Sequence, residues 1–395
     1  MIFRKNTKNG DELSQLGFGC MRFPKKGNTI DMELSKELVK SAIEQGVNYL
    51  DTAYIYPGIE QALGTILKEE GLRDKVKIAT KLPIFMCKTN ADLDKLFNKQ
   101  LIRLQTNRID YYLLHMLSDT MTWERLKSLG IEKWISKQKE LGRIKNLGFS
   151  YHGGRKEFTA LIDSYDWDFC MIQYNYFDES NQAGREGLNY ASAKGIPVFI
   201  MEPLRGGLLV NGLSTEAKNA FEKIAPKRTL ADWGFRWLFN QPEVTMVLSG
   251  MNALSQVTEN IQLGGNLSVE CLTESETAAY EQVCQIMRKS VKVSCTGCGY
   301  CLPCPAGVDI PTCFSCYNEI YTTKYITAFK HYFMTTGTMT PKPSYASKCI
   351  ECGKCETHCP QGIEIRKKLK DARRKLEPFW YRPVRVILRK ILKIK

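Results

Sequence analysis

No apolar run in the 395 residues is long enough to span a bilayer. The N-terminus, Met1-Ile2-Phe3-Arg4-Lys5, lacks the apolar core of a secretory leader. No glycine fingerprint follows the first strand candidate, which argues against a doubly wound open sheet. Charge excess is also scarce once it is located. The formal charge is +14, but Pro360 to Lys395 holds 13 Lys or Arg against 3 Asp or Glu, leaving only +4 for the other 359 residues. The basic residues form a tail without a recognisable binding fold, so no nucleic-acid partner is expected. These absences lead to the expectation of a cytoplasmic protein, in which thiols stay reduced and disulfides do not form.

What is present suits a large folded chain, with 43% hydrophobic and 25% charged residues. Short apolar runs alternate with amphipathic stretches such as Asp31 to Gln45 and Trp123 to Leu141. The strand candidates begin at Leu16, Val47, Val76, Tyr111, Asn146, Met171, Val198 and Thr245. Eight strand–helix units in about 260 residues predict an α/β fold, a (β/α)8 TIM-type barrel. A further helix, from about Thr273 to Lys289, would lead to the cysteine-rich segment.

The C-terminal ends of barrel strands form the active-site face of such a fold. Asp51 and Tyr56, Lys81, and His115 stand where the second, third and fourth strands end. Separately, a helix cap, a packing aromatic, a solvated lysine and a core histidine would account for them. Together they form a proton-transfer set. A carbonyl that accepts a hydride needs a proton, and Tyr56 can donate it if its pKa falls from about 10. Bringing it to neutrality takes about 4 kcal/mol. An ammonium at ~4 Å supplies about that much at an effective dielectric of ~20, before desolvation takes some back. Lys81 would be that ammonium, Asp51 would hold it, and His115 would orient the carbonyl oxygen.

Over residues 1 to about 265 the chain resembles the aldo-keto reductases, which use an Asp-Tyr-Lys-His tetrad. The resemblance implies a catalytic set of Asp51, Tyr56, Lys81 and His115 acting on a small carbonyl or alcohol. It also implies NAD(P)H bound through Ser150 and Gln173, with Met201 beside the nicotinamide ring and Glu259-Asn260 on the adenine side. The pattern departs at Tyr151, where the family has Asn, and at Met201, where an aromatic is usual. It departs again at Gly250 and Gln256, which stand where the family grips a 2′-phosphate with basic residues. Arg205-Gly206-Gly207 offers a phosphate cradle, which places Arg205 in the cofactor set.

Ten of the fifteen cysteines fall between Cys295 and Cys359, which in a reducing compartment reads as metal binding. Cys349, Cys352, Cys355 and Cys359-Pro360 have the spacing of a bacterial two-cluster ferredoxin. Cys295, Cys298, Cys301 and Cys304-Pro305 form a partner run, one residue shorter before its last cysteine. The last cysteine of each run crosses to the other cluster in such proteins. Cys295, Cys298, Cys301 and Cys359 would then hold one 4Fe-4S cluster, and Cys304, Cys349, Cys352 and Cys355 the second. Zinc also uses Cys-x2-Cys spacing, but the paired Cys-Pro endings favour iron–sulfur. Cys313 and Cys316 read as core residues. The whole chain is similar to aldo-keto reductase family members with a C-terminal 4Fe-4S dicluster domain.

The expected organisation is a barrel over 1–265, a connecting helix over 266–290, a ferredoxin-like helical dicluster domain over 291–365, and a basic amphipathic tail over 366–395. In the tail Val384, Ile387, Leu388, Ile391 and Ile394 recur at helical spacing, with Arg385, Arg389 and Lys393 opposite. This pattern suits peripheral contact with an anionic membrane, or docking on protein. The functional expectation is an iron–sulfur oxidoreductase with electrons relayed through its clusters. An electron-transfer protein is a candidate partner, and a flavin a candidate cofactor between one-electron clusters and a two-electron hydride. The competing readings are an electron carrier whose barrel is a scaffold, and a nicotinamide-dependent reductase whose clusters are structural or redox-sensing.

Overall fold

The computed structural model describes residues 1–153, 155–322, 324–338 and 342–391. Of the tail residues named above, Lys393 and Ile394 lie outside the described residues, as does the side chain of Ile391. Contacts divide the chain into two compact units. One comprises Met1–Pro203 with Ala231–Leu272, the other Leu204–Leu230 with Thr273–Lys395.

The first unit is a closed barrel of eight parallel strands: β1 (Leu16–Gly19), β2 (Tyr49–Asp51), β3 (Lys77–Leu82), β4 (Ile109–Leu114), β5 (Ile144–Tyr151), β6 (Phe169–Gln173), β7 (Val198–Met201) and β8 (Val244–Ser249). Each strand pairs with its neighbours in sequence, and β8 closes on β1. All eight expected strands are present. Side chains alternate across a strand, so residues two apart share a face. The inward row is filled by Tyr49, Ala79, Tyr111, Leu113, Phe169, Met171, Phe199, Met246 and Leu248. Tyr49, Tyr111 and Phe199 meet edge-on or tilted, with ring centroids 5.2–5.7 Å apart. Room for these rings comes from small residues on the same row. A Cβ at Gly17 would lie 2.6 Å from the Met246 sulfur, and one at Gly148 would lie 2.5 Å from the Phe169 carbonyl oxygen. Leu13, from the hairpin of Phe3–Lys5 with Glu12–Ser14, joins this cluster.

The second unit gathers the helix Thr215–Glu222, the long helix Glu274–Ser290 and the cysteine-rich segment. Thr273 and Glu276 start the long helix with a reciprocal capping box, which satisfies two otherwise orphaned N–H groups. Val308, Ile310, Phe314, Tyr332, Ile365, Leu369 and Leu376 form this unit's core. Cys313 and Cys316 are fully buried within it. The helix Tyr381–Ile391 packs on the same core through Tyr381 and Leu388. Arg385, expected on the polar face, turns inward and sits over the Tyr345 ring, 4.6 Å from its centroid. Cation–π attraction and burial of the apolar stem favour that placement. Among the described residues no helix is long and apolar enough to cross a membrane.

Candidate active site and cluster sites

On six strands the inward parity carries one step past the core, to a polar residue on five and to Met201 on the sixth. Tyr49 leads to Asp51, Ala79 to Lys81, Leu113 to His115, Gly148 to Ser150, Met171 to Gln173 and Phe199 to Met201. Asp51, Lys81 and His115 are all nearly fully buried. Lys81 Nζ donates to Asp51 Oδ1 at 2.5 Å and to the Thr52 carbonyl at 2.8 Å. The same ammonium lies 5.4 Å from the Tyr56 ring centroid. The Tyr56 and His115 rings meet at right angles, with centroids 6.3 Å apart. The structure therefore brings all four members of the tetrad together.

Burial pushes the Asp51 carboxyl above its ordinary value, and the adjacent Lys81 charge works against that push. Burial, and then the same Lys81 charge, holds His115 well below the usual imidazole range. A neutral His115 donates a hydrogen bond rather than a proton. His152 lies close enough to be influenced by Lys81, and burial brings it down to about 4. Its Nδ1 is 3.2 Å from Gln182 Oε1.

Sequence reasoning missed the buried support beneath Lys81. Glu60 accepts hydrogen bonds from Thr80 Oγ1 at 2.7 Å and Gln100 Nε2 at 2.8 Å, and pairs with Arg103 at 2.9 Å. Gln100 also donates to the Lys81 carbonyl and accepts from Tyr112. The available signal was weak: Glu60 is a carboxylate in the first turn of a helix, and only packing shows that it is buried.

On the cofactor side, Ser150 and Gln173 are buried at adjoining strand ends. Ser150 Oγ accepts from the Met116 N–H at 3.0 Å. Gln173 Nε2 donates to Asp178 at 2.8 Å, while its Oε1 is buried with no protein partner among the described residues. A carboxamide N–H2, as nicotinamide carries, fits an acceptor of that kind. Tyr151 has the opposite parity to Ser150 and packs on Phe158, ring centroids 4.9 Å apart. Met201 packs against the barrel core, and Asn260 donates to Ser249 Oγ at 3.0 Å. Arg205 belongs to the second unit, where its Nη2 reaches the Ser294 carbonyl at 3.5 Å.

Cys295, Cys298, Cys301 and Cys359 line one small cavity with Pro311, Phe314 and Ile363. Burial pushes the Cys295 thiol up to about 11 and that of Cys301 up to about 12, with the neighbouring thiolates adding to the shift. Cys355 is raised first by burial and in part by Cys349 and Cys304. Cys352 is exposed. The first cysteine of each run accepts a backbone N–H from two residues on, Gly297 to Cys295 and Glu351 to Cys349, both at 3.4 Å. The last cysteine of the second run thus lies with the first three of the first, and Cys304 lies near Cys349 and Cys355. A soft, converging thiolate set of this kind suits an iron–sulfur cluster.

Residues 15–283 match the Aldo/keto reductase family. The chain belongs to that family. Residues 294–364 of this aldo/keto reductase match the 4Fe-4S dicluster domain. Among curated relatives, the uncharacterized oxidoreductase YqkF of Bacillus subtilis is 25% identical over 316 residues, covering 70% of this chain and 95% of that protein. The aldo-keto reductase YhdN of Bacillus subtilis is 26% identical over 310 residues, covering 65% and 89%. Among solved structures, the holo form of aldo-keto reductase AKR11C1 from Bacillus halodurans superposes with a TM-score of 0.59 at 25% identity, covering 72% of this chain and 96% of that one. An aldo-keto reductase from Klebsiella pneumoniae in complex with NADPH gives 0.58 at 22% identity, covering 72% and 95%, a likeness of fold. The reductase is thus an oxidoreductase with an iron–sulfur domain on the same chain.

Proposed function

We propose that the protein interconverts a small carbonyl compound and its alcohol at the barrel site, with Tyr56 as general acid and base. The observation that carries this reading is the position of the Lys81 ammonium, fixed by Asp51 at 2.5 Å and 5.4 Å from the Tyr56 ring centroid. A positive charge there favours the phenolate and lowers the cost of giving up the proton. Neutral His115 orients the carbonyl oxygen toward the phenol. Gln173 Oε1, Ser150 and Met201 would hold the nicotinamide end of a dinucleotide and Asn260 its adenine end, and the two four-cysteine groups would hold two 4Fe-4S clusters. When bound, the nicotinamide supplies or accepts a hydride and the clusters carry single electrons.

The cluster pair matches a carbonyl/alcohol couple in electron count, two against two, although each cluster passes one at a time. This supports electron relay between the barrel and an electron-transfer protein, with a flavin or a radical-forming substrate as the converter. The test is anaerobic purification followed by cofactor extraction and assay. The expected result is a brown protein that oxidises NADH or NADPH when a carbonyl compound is added, with cluster absorbance changing in the same mixing experiment. Carbonyl-dependent oxidation with static clusters would remove the relay, and a colourless, zinc-loaded protein would remove the clusters.

The tail supports a second partner, an anionic membrane surface. Phe379 is 95% exposed, with Trp380 and Ile387 also exposed beside Arg382 and Lys390. Basic residues around exposed aromatic and aliphatic groups suit the headgroup boundary. Full-length protein is expected to co-sediment with vesicles containing phosphatidylserine at low salt, and a version ending at Glu377 is expected to stay in the supernatant. Equal pelleting of the two would refute membrane contact.

A further inference from the structure

The segment after β7 contains the most constrained backbone near the first cysteine run. Arg205 has a φ of 50° although it is not glycine, and Gly206 and Gly207 follow at 65° and 94°. Three left-handed residues in a row are costly for any side chain but glycine, so tertiary contacts must hold Arg205 in place. Those contacts lie at the cysteine loop. A Cβ on Gly206 would come within 1.9 Å of the Thr296 carbonyl oxygen, so the two backbones touch there without side chains between them. The Arg205 side chain is 1% exposed, and its Nη2 donates to the Ser294 carbonyl at 3.5 Å, one residue before Cys295. Thr296, on the other side of Cys295, is also buried.

We propose that Arg205 is a positioning residue for the cluster of Cys295, Cys298, Cys301 and Cys359, and that its buried charge raises that cluster's reduction potential. The inference rests on the iron–sulfur reading of the cysteines and goes beyond it, because it names a residue outside the ligand set that tunes one cluster. Reduction adds one negative charge to a cluster, and a fixed cation nearby stabilises the added charge. A buried guanidinium is screened less by water and salt than a surface lysine would be. The left-handed turn has a role here as well, since it lets the backbone come close enough for the guanidinium to reach the Ser294 carbonyl.

The experiment is an EPR-monitored redox titration of the anaerobic holoprotein. Wild type, Arg205→Gln and Arg205→Lys are compared, with iron measured on each sample. About eight irons per chain in the wild type establishes the clusters, independently of Arg205. With the charge removed, one midpoint potential is expected to fall by about 59 mV or more, a tenfold change in its reduced-to-oxidised ratio for a one-electron couple. The other midpoint should stay in place, and Arg205→Lys should lie near wild type. Cys301→Ser, which should silence the first cluster, identifies the signal that moves. If Arg205→Gln cannot hold iron, Arg205→Lys decides alone: a loaded lysine variant with wild-type potentials agrees with a charge effect, and one whose potential falls by about 59 mV or more does not. Loaded Gln and Lys variants whose two potentials both match wild type overturn the proposal.

Discussion

Replacing Tyr56 with phenylalanine is expected to lower carbonyl turnover by about 10²–10⁴-fold, the usual contribution of a positioned general acid. Iron content and cluster absorbance should be unchanged. Tyr56 is partly exposed, whereas Lys81 and Asp51 are buried beneath it. Loss of one hydroxyl therefore removes the proton donor and leaves the ion pair intact. Steady-state assay of the variant beside its visible spectrum separates three readings. An enzyme loses turnover with its spectrum preserved. An electron carrier on a scaffold barrel keeps its electron-transfer rate. A variant that has lost both has failed to fold. Truncating Asp51 would be a poorer probe, because it leaves the Lys81 ammonium buried and unpaired at a cost of about 3–5 kcal/mol.

Cys301→Ser is expected to halve the iron, from about eight to about four atoms per chain. The cavity that Cys301 shares with Cys295, Cys298 and Cys359 brings both ends of the cysteine segment to one place. Cys359→Ser should therefore damage the same cluster as Cys301→Ser, although 58 positions separate the two residues. Cys355→Ser should damage the other. Iron analysis with EPR of the three variants checks the crossed arrangement. If Cys359→Ser and Cys355→Ser remove the same signal, each run holds its own cluster and the crossing is wrong.

Sequence alone was enough for much of the barrel. All eight strands appear where short apolar runs alternate with amphipathic stretches, because period-2 and period-3.6 burial leaves a readable pattern. The tetrad was legible for the same reason: Asp51, Lys81 and His115 lie at or just past strand ends, and parity carries the inward row onto them. Cysteine spacing identified the dicluster domain, since a cluster demands several thiolates within a short span. Other features left no local trace. Glu60 beneath Lys81 looks like an ordinary first-turn glutamate until Gln100 and Arg103 are packed around it. Arg205 read as part of a phosphate cradle, yet the segment from Leu204 to Leu230 folds with the cysteine unit. The tail pattern set Arg385 opposite the apolar stripe, and the Tyr345 ring drew it inward. Periodicity and ligand spacing are properties of neighbouring residues and survive in the sequence. The burial of a single polar group, and the choice of its partner, depend on segments far apart in the chain, so only the tertiary structure decides them.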